Sequence, residues 1–214
     1  MQGFFVTGTD TDVGKTVVSA WLLSHLDACY WKPVQAGTEP GTEPETDSMT
    51  VRRLAEVPED RILREAYILK EPLSPHEAAK REGIVIDMAK LEAPSCDRPL
   101  IIEGAGGLMV PLNDTAFVID LAAELHLPIV LVARSTLGTI NHTLLSLEAL
   151  RRRGLEIAGI VINGPERPHN RVAIERYGRA SILAEIPKLD KITRSTLRNI
   201  QPELDLAELA RNAS

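Results

Sequence analysis

Nine residues near the start of the chain, Gly8-Thr9-Asp10-Thr11-Asp12-Val13-Gly14-Lys15-Thr16, combine two glycines, a lysine and a hydroxyl directly after the apolar run Gly3-Phe4-Phe5-Val6-Thr7. That order suits a phosphate. If a strand runs into Gly8 and a helix starts at Gly14-Lys15-Thr16, the first helical turn offers free N–H groups and the positive end of the helix dipole to an anion. Glycine at 14 lets the backbone close around the anion, Lys15 supplies a cation at terminal phosphates, and Thr16 places a hydroxyl where magnesium can be ligated. Gly8 to Gly14 encloses five residues where the usual pattern has four. Nucleotide binding is the predicted chemistry.

Other groups decide what happens to the nucleotide. Lys32 stands inside the otherwise apolar Cys29-Tyr30-Trp31-Lys32-Pro33-Val34, where burial is costly unless the ammonium faces an anion. Taken alone, it could instead reach solvent from a sheet edge. Glu103 follows Pro99-Leu100-Ile101-Ile102 and precedes Gly104-Ala105-Gly106-Gly107, a carboxylate expected at a strand end beside small residues, resembling a Walker B acid. Asp47 is expected at the start of a helix. Each acid by itself could cap a helix or be solvated, but together with Lys15 and Thr16 they suit a magnesium site. Asn163, ending Ile157-Ala158-Gly159-Ile160-Val161-Ile162, can offer a base edge both a donor and an acceptor; a turn asparagine is the other reading. Gly138-Thr139-Ile140-Asn141 opens a further helix with room for a carboxylate.

The elements that must position these groups alternate. Residues 3–8, 29–34, 99–104, 128–134, 157–164 and 180–187 are short aliphatic runs bounded by Gly or Pro and read as strands. Val17 to Leu26, Val118 to Leu125 and Ile140 to Arg153 carry apolar residues at helical spacing, the last closing on three arginines and Gly154. Repeated strand, helix, strand predicts an α/β fold with a parallel sheet flanked by helices on both faces, P-loop NTPase-like, in one domain over residues 1 to 214. Its ligands are expected at the carboxyl ends of the strands. Gln35 to Thr46, rich in Gly, Pro and Glu, reads as a loop and a candidate lid.

Composition narrows the partners. The chain of 214 residues has a net charge of -6, which opposes a nucleic-acid surface. No apolar run is long enough for a membrane span and the start lacks the pattern of a signal peptide, so a cytoplasmic location is expected. Cys29 and Cys96 form no cluster with histidine and are expected to be separate buried thiols.

The loop with its five-residue spacing, Trp31-Lys32-Pro33-Val34-Gln35-Ala36-Gly37, Glu103-Gly104-Ala105-Gly106-Gly107, Leu137-Gly138-Thr139-Ile140-Asn141-His142 and Ile160-Val161-Ile162-Asn163-Gly164, in this order, resemble dethiobiotin synthetase. The resemblance runs from Gly3 to about Leu189. It implies a homodimer that uses ATP and magnesium to carboxylate diaminopelargonic acid with carbon dioxide and close the ureido ring, through a carbamate and a carbamic-phosphoric anhydride. It implies Lys15, Lys32 and Thr11 as catalytic residues, with Thr16, Asp47 and Glu103 as magnesium ligands. The nucleotide would meet Asp12, Val13, Gly14, Lys15, Thr16, Val17, Asp47, Glu103, Gly104, Ala105, Gly106, Asn163 and Gly164, with Pro187, Lys188 and Leu189 along the base. The diamine would meet Lys32, Ala36, Gly138, Thr139 and Asn141, its carboxylate reached across the dimer interface. Ala36 departs from the family, which often has Ser or Thr there.

Two other readings share this fold. A partitioning-type ATPase or switch would act on a protein partner, but the loop lacks the second lysine of the partitioning type, and Asn163-Gly164-Pro165-Glu166 stands where a GTPase carries Asn-Lys-x-Asp. A cobyrinate-amidating synthetase is normally fused to a glutaminase, for which this length leaves no room.

Overall fold

All six residues of β1 (Gly3–Gly8) are buried, as a strand covered by helices on both faces requires. The computed structural model describes residues 1–38 and 46–211, so the middle of the candidate lid, residues 39–45, lies outside the described residues. Around β1, the strands β2 (Cys29–Trp31), β4 (Ile62–Leu63), β6 (Leu100–Gly107), β7 (Ile129–Arg134), β8 (Ile157–Asn163) and β9 (Ile182–Ile186) form one sheet in the order β4-β2-β6-β1-β7-β8-β9. Every pairing within it is parallel. The short β3 (Val34–Ala36) and β5 (Tyr67–Leu69) make a separate parallel pair.

Side chains alternate across the sheet with period two. Phe4 and Val6 enter a core with Val18, Trp21 and Leu22 of α1 (Lys15–His25), Val51 and Leu54 of α2 (Asp47–Ala55), Leu197 of α7 (Arg194–Arg198) and Leu206 of α8 (Leu206–Arg211). Phe5 and Ile102 face the other way, toward Ala78 and Ala79 of α3 (Pro75–Arg81) and Val118, Ile119 and Ala122 of α4 (Val118–Leu125). Farther along that face, Leu131 and Ile162 meet Leu147 of α5 (Thr139–Arg152) and Ile174 of α6 (Pro168–Gly178). The expected parallel sheet between two helical layers is present. No helix among the described residues is long and apolar enough to cross a membrane.

Four details differ from the sequence reading. The expected strand over residues 29–34 is broken at Lys32-Pro33 into β2 and β3. Pro33 has no N–H to give a ladder, and its carbonyl instead accepts from the N–H groups of Ala66 and Tyr67, both at 3.0 Å, which starts β5. Gln35 and Ala36, expected in a loop, therefore lie in β3, opposite Ile68 and Leu69. β6 runs on past Gly104 to Gly107, with a register shift against β1, so Glu103 sits within the strand rather than at its end. A side chain at 104 would press on Val118 and the Phe5 ring, so this stretch packs closely against α4. Finally, Cys29 and Cys96 are not separate thiols but a disulfide. They are 67 residues apart in the chain, and only the pairing of Cys29 with Leu100 lays the approach to β6 beside β2.

Candidate active site

The strand order explains how distant residues meet. With β6 between β2 and β1, Lys32 after β2, Glu103 in β6 and the loop after β1 lie at neighbouring strand ends. Gly14 caps α1 in the left-handed region, φ 95°, and a Cβ there would fall 2.0 Å from Nδ2 of Asn163. Glycine is required at that point on both counts. Asp12 is also left-handed, φ 55°. Two side chains brace the loop: Asn163 Nδ2 donates to the Val13 carbonyl at 2.9 Å, and Arg134 pairs with Asp10, whose Oδ1 accepts from the Thr11 N–H at 2.8 Å.

Lys15 folds back over its own loop and donates to the Asp10 carbonyl at 3.2 Å. Burial lowers its pKa, with the Glu103 charge opposing. An ammonium held this way is poorly hydrated and ready for an anion.

Beside it lies a compact polar cluster. The Thr16 hydroxyl is 3.1 Å from Asp47 Oδ1 and 3.0 Å from Glu103 Oε1. Lys32 Nζ pairs with Asp47 and with Glu103 Oε1 at 3.0 Å. The other oxygen of Glu103 accepts from Ser19 Oγ at 2.7 Å and from the Tyr30 hydroxyl at 3.0 Å. Glu103 is 1% exposed and Lys32 4%, so neither charge is balanced by water. Burial works against the ammonium of Lys32, but the charges of Glu103 and Asp47 prevail and raise its pKa. Burial likewise opposes the Asp47 carboxylate, and Lys32 prevails to hold it below its ordinary value. Burial and the Glu103 charge push the Tyr30 phenol well up, so it stays a neutral donor.

Asp47 owes its place to two contacts. The Thr46 side chain caps α2 by accepting from the Met49 N–H, and Gln35 Oε1 accepts from the Asp47 N–H at 3.0 Å while its Nε2 donates to the Ala36 carbonyl at 2.9 Å. Among the described residues no group of three or more His, Cys, Asp or Glu could hold a metal. Thr16, Asp47 and Glu103 are instead two carboxylates and a hydroxyl, a donor set suited to a hard divalent cation that completes its shell with water and phosphate oxygens.

A cleft of about 740 Å³ opens over the cluster. Thr11, Asp12, Gly14, Lys15 and Thr16 line it, as do Lys32, Ala36, Asp47, Glu103, Ala105 and Gly106. The cleft also has an apolar wall absent from the sequence reading, with Pro72, Leu73 and Val110. Asn163, Gly164 and Pro187 are not part of the cleft lining but lie together at the ends of β8 and β9, where the Gly164 N–H donates to the Ile186 carbonyl at 2.8 Å and Asn163 abuts Val13 and Gly14 of the loop. Lys188 there is exposed, and Val17 and Leu189 are half-buried. Gly138, Thr139 and Asn141 are not part of the cleft lining: Gly138 and Asn141 are exposed at the start of α5, while Thr139 is buried.

Sequence reasoning missed Ser19, Tyr30 and Gln35. Two had a readable signal. Ser19 is three residues after Thr16 on one helix face, and Tyr30 is two before Lys32, hence on the same side of an extended chain.

A family model described as an AAA domain matches residues 2–196. The ATP-dependent dethiobiotin synthetase BioD of Paramagnetospirillum magneticum is 55% identical over 202 residues, covering 94% of this chain and 96% of that protein. The protein of the same name in Afipia carboxidovorans is 52% identical over 194 residues, covering 90% of each. The biotin biosynthesis bifunctional protein BioCD of Bordetella avium is 52% identical over 191 residues, covering 89% of this chain and 40% of that protein. Among solved structures, a ParA family ATPase from Chlorobium tepidum superposes with a TM-score of 0.53 at 12% identity over 98% of this chain and 97% of its own. The cell division ATPase MinD of Pyrococcus furiosus gives 0.54 at 17% identity, covering 98% and 95%. At those identities the likeness speaks for the fold alone.

Proposed function

This chain belongs to the ATP-dependent dethiobiotin synthetase family, an enzyme family of ligases in biotin formation, and from that premise we propose how its own residues carry out the reaction. The substrates are a vicinal diamine with a carboxylate tail, carbon dioxide and ATP. The observation that carries the reading is the convergence of Lys15, Lys32, Thr16, Asp47 and Glu103 on one cleft.

The chemistry explains why such a cluster is needed. A carbamate, formed from one amine and carbon dioxide, is a poor electrophile; transfer of the γ-phosphoryl group to its oxygen makes a mixed anhydride, and the second amine then attacks the carbonyl carbon and displaces phosphate. Phosphorylation brings two anions together. Lys32, its charge favoured by Asp47 and Glu103, and Lys15 over the loop would offset that repulsion in a poorly hydrated site. Thr16, Asp47 and Glu103 would hold magnesium, which when bound supplies further positive charge at the phosphates. Fixing the reactants in one cleft contributes much of the remaining acceleration by proximity. Nothing in this sequence of steps calls for a covalent enzyme intermediate.

Pro72, Leu73 and Val110 suit the hydrocarbon part of the diamine, which asks only for a dry wall. Gln35 holds the backbone where the family often has a hydroxyl at the position of Ala36. For the carboxylate we favour the start of α5 in a second subunit: Gly138 there has no side-chain cap, and Leu137 and Leu145 beside it are 103% and 58% exposed, as residues of a homodimer interface are in a single chain. Asn163 and Pro187 would meet the base of ATP.

A magnesium titration of dethiobiotin formation tests the metal assignment. Glu103→Gln and Asp47→Asn should each raise the magnesium concentration for half activity by roughly tenfold or more, since each neutralises a ligand. An unchanged titration in both variants would count against it.

A further inference from the structure

Tyr30 is the largest polar side chain to touch the cluster from inside the core. It is fully buried, and its hydroxyl donates to Glu103 Oε2 at 3.0 Å. Ser19 donates to the same oxygen at 2.7 Å, whereas Oε1 is the oxygen that meets Thr16 and Lys32. The carboxylate is therefore loaded unevenly. Two neutral hydroxyls, one from α1 and one from β2, hold Oε2 on the core side, and the plane of the carboxylate is set so that Oε1 points into the cleft.

We propose that Tyr30, together with Ser19, is a positioning residue that orients Glu103 for metal binding. The inference rests on the reading of Thr16, Asp47 and Glu103 as the metal site. A carboxylate accepts up to about four hydrogen bonds; on Glu103, Ser19 and Tyr30 fill Oε2, while Oε1 accepts from Lys32 and shares the single Thr16 proton with Asp47, so rotation is restrained from the core side and Oε1 keeps a lone pair for a cation. Without Tyr30 one of the two core-side donors is gone. The carboxylate then gains freedom to turn, and Oε1 spends less time facing Thr16. Outer partners of this kind change metal affinity without touching the metal. A tyrosine that served packing alone would need some partner for its buried hydroxyl, but its loss would lower stability and leave metal binding alone.

The two roles separate in one experiment. Binding of Mn²⁺ to the purified enzyme in the presence of ADP is followed by the paramagnetic resonance of the free ion, for wild type, Tyr30→Phe, Ser19→Ala, Glu103→Gln and Tyr30→Phe/Glu103→Gln. Tyr30→Phe keeps the ring and removes only the donor. It should weaken Mn²⁺ binding by roughly tenfold while ADP affinity without metal stays within about twofold, and Ser19→Ala should do the same. In the Glu103→Gln background, Tyr30→Phe should change Mn²⁺ affinity by less than about twofold, because the group it acts through is already gone. Wild-type-like Mn²⁺ affinity in Tyr30→Phe would overturn the proposal, as would an undiminished effect of Tyr30→Phe without Glu103. Failure of the wild type itself to bind Mn²⁺ more tightly than ADP does in solution would instead remove the metal reading beneath it.

Discussion

Lys32→Met should lower ring closure by ~100-fold or more, the scale for losing one preorganised electrostatic contact to a transition state, while ATP affinity stays within a few fold. Methionine fills similar space without the charge. The asymmetry follows from position: Lys32 is not part of the Gly8–Thr16 loop but pairs with Asp47 and Glu103 beside it, so on the proposed reading its charge would matter most when the carbamate oxygen meets the γ-phosphoryl group. The same variant makes a second, structural prediction. Removing one partner of a buried ion pair leaves its carboxylates uncompensated, at a cost of about 3–5 kcal/mol, so the melting temperature without metal or nucleotide should fall. The pH dependence carries a sign. Asp47 has its folded pKa depressed by Lys32, so the stability it contributes is present above its unfolded value near ~3.9 and is lost as pH falls through the folded value. Lys32→Met should weaken that acid dependence. Steady-state kinetics, nucleotide binding and melting curves from pH 3 to 7 check the three parts; normal ring closure would remove Lys32 from the chemistry.

Lys15→Ala should fail differently, with turnover below detection and ATP binding weakened by roughly tenfold or more, because on the proposed reading its ammonium would meet phosphates already present in the ground state. In the folded chain Lys15 spans its loop to the Asp10 carbonyl, so alanine also removes a brace from the anion site. Arg134 and Asn163 hold the loop from other directions, and the fold should survive. The contrast is the useful result. Loss at Lys15 appears in binding and turnover alike, whereas loss at Lys32 appears in turnover, and calorimetry with ATP beside single-turnover kinetics separates them. Near-normal activity in Lys15→Ala would remove the phosphate-loop reading.

The sheet was legible because its main strands are buried on both faces and so appear as short aliphatic runs, such as Phe4-Phe5-Val6 and Ile129-Val130-Leu131-Val132. Helices α1, α4 and α5 carried clear spacing or a clear stop, and Gly154 past α5 is indeed left-handed, φ 67°. β4 and β5 were invisible: with two and three residues they show no period, and their existence depends on which neighbour the chain meets. The break at Pro33 had a local signal, the missing N–H, outweighed by the aliphatic residues around it. Of the site, Gly14, Lys15, Thr16, Lys32, Asp47 and Glu103 could be picked out because charge and glycine are conspicuous in apolar runs, and the fold brings them together. Tyr30, Ser19 and Gln35 were hidden because a tyrosine, serine or glutamine among apolar residues reads as ordinary packing until a carboxylate or a backbone N–H is seen against it. The Cys29–Cys96 bond was hidden by its separation in the chain.

We propose that ATP is spent here only to join carbon dioxide to a diamine. Phosphate release from the purified wild-type enzyme, measured with ATP, magnesium, bicarbonate and diaminopelargonic acid present and then with each withheld in turn, tests it most directly. All four should be required, and no protein partner should replace the diamine. Phosphate release at the full rate without the diamine would contradict this reaction and point to a switch ATPase on the same fold.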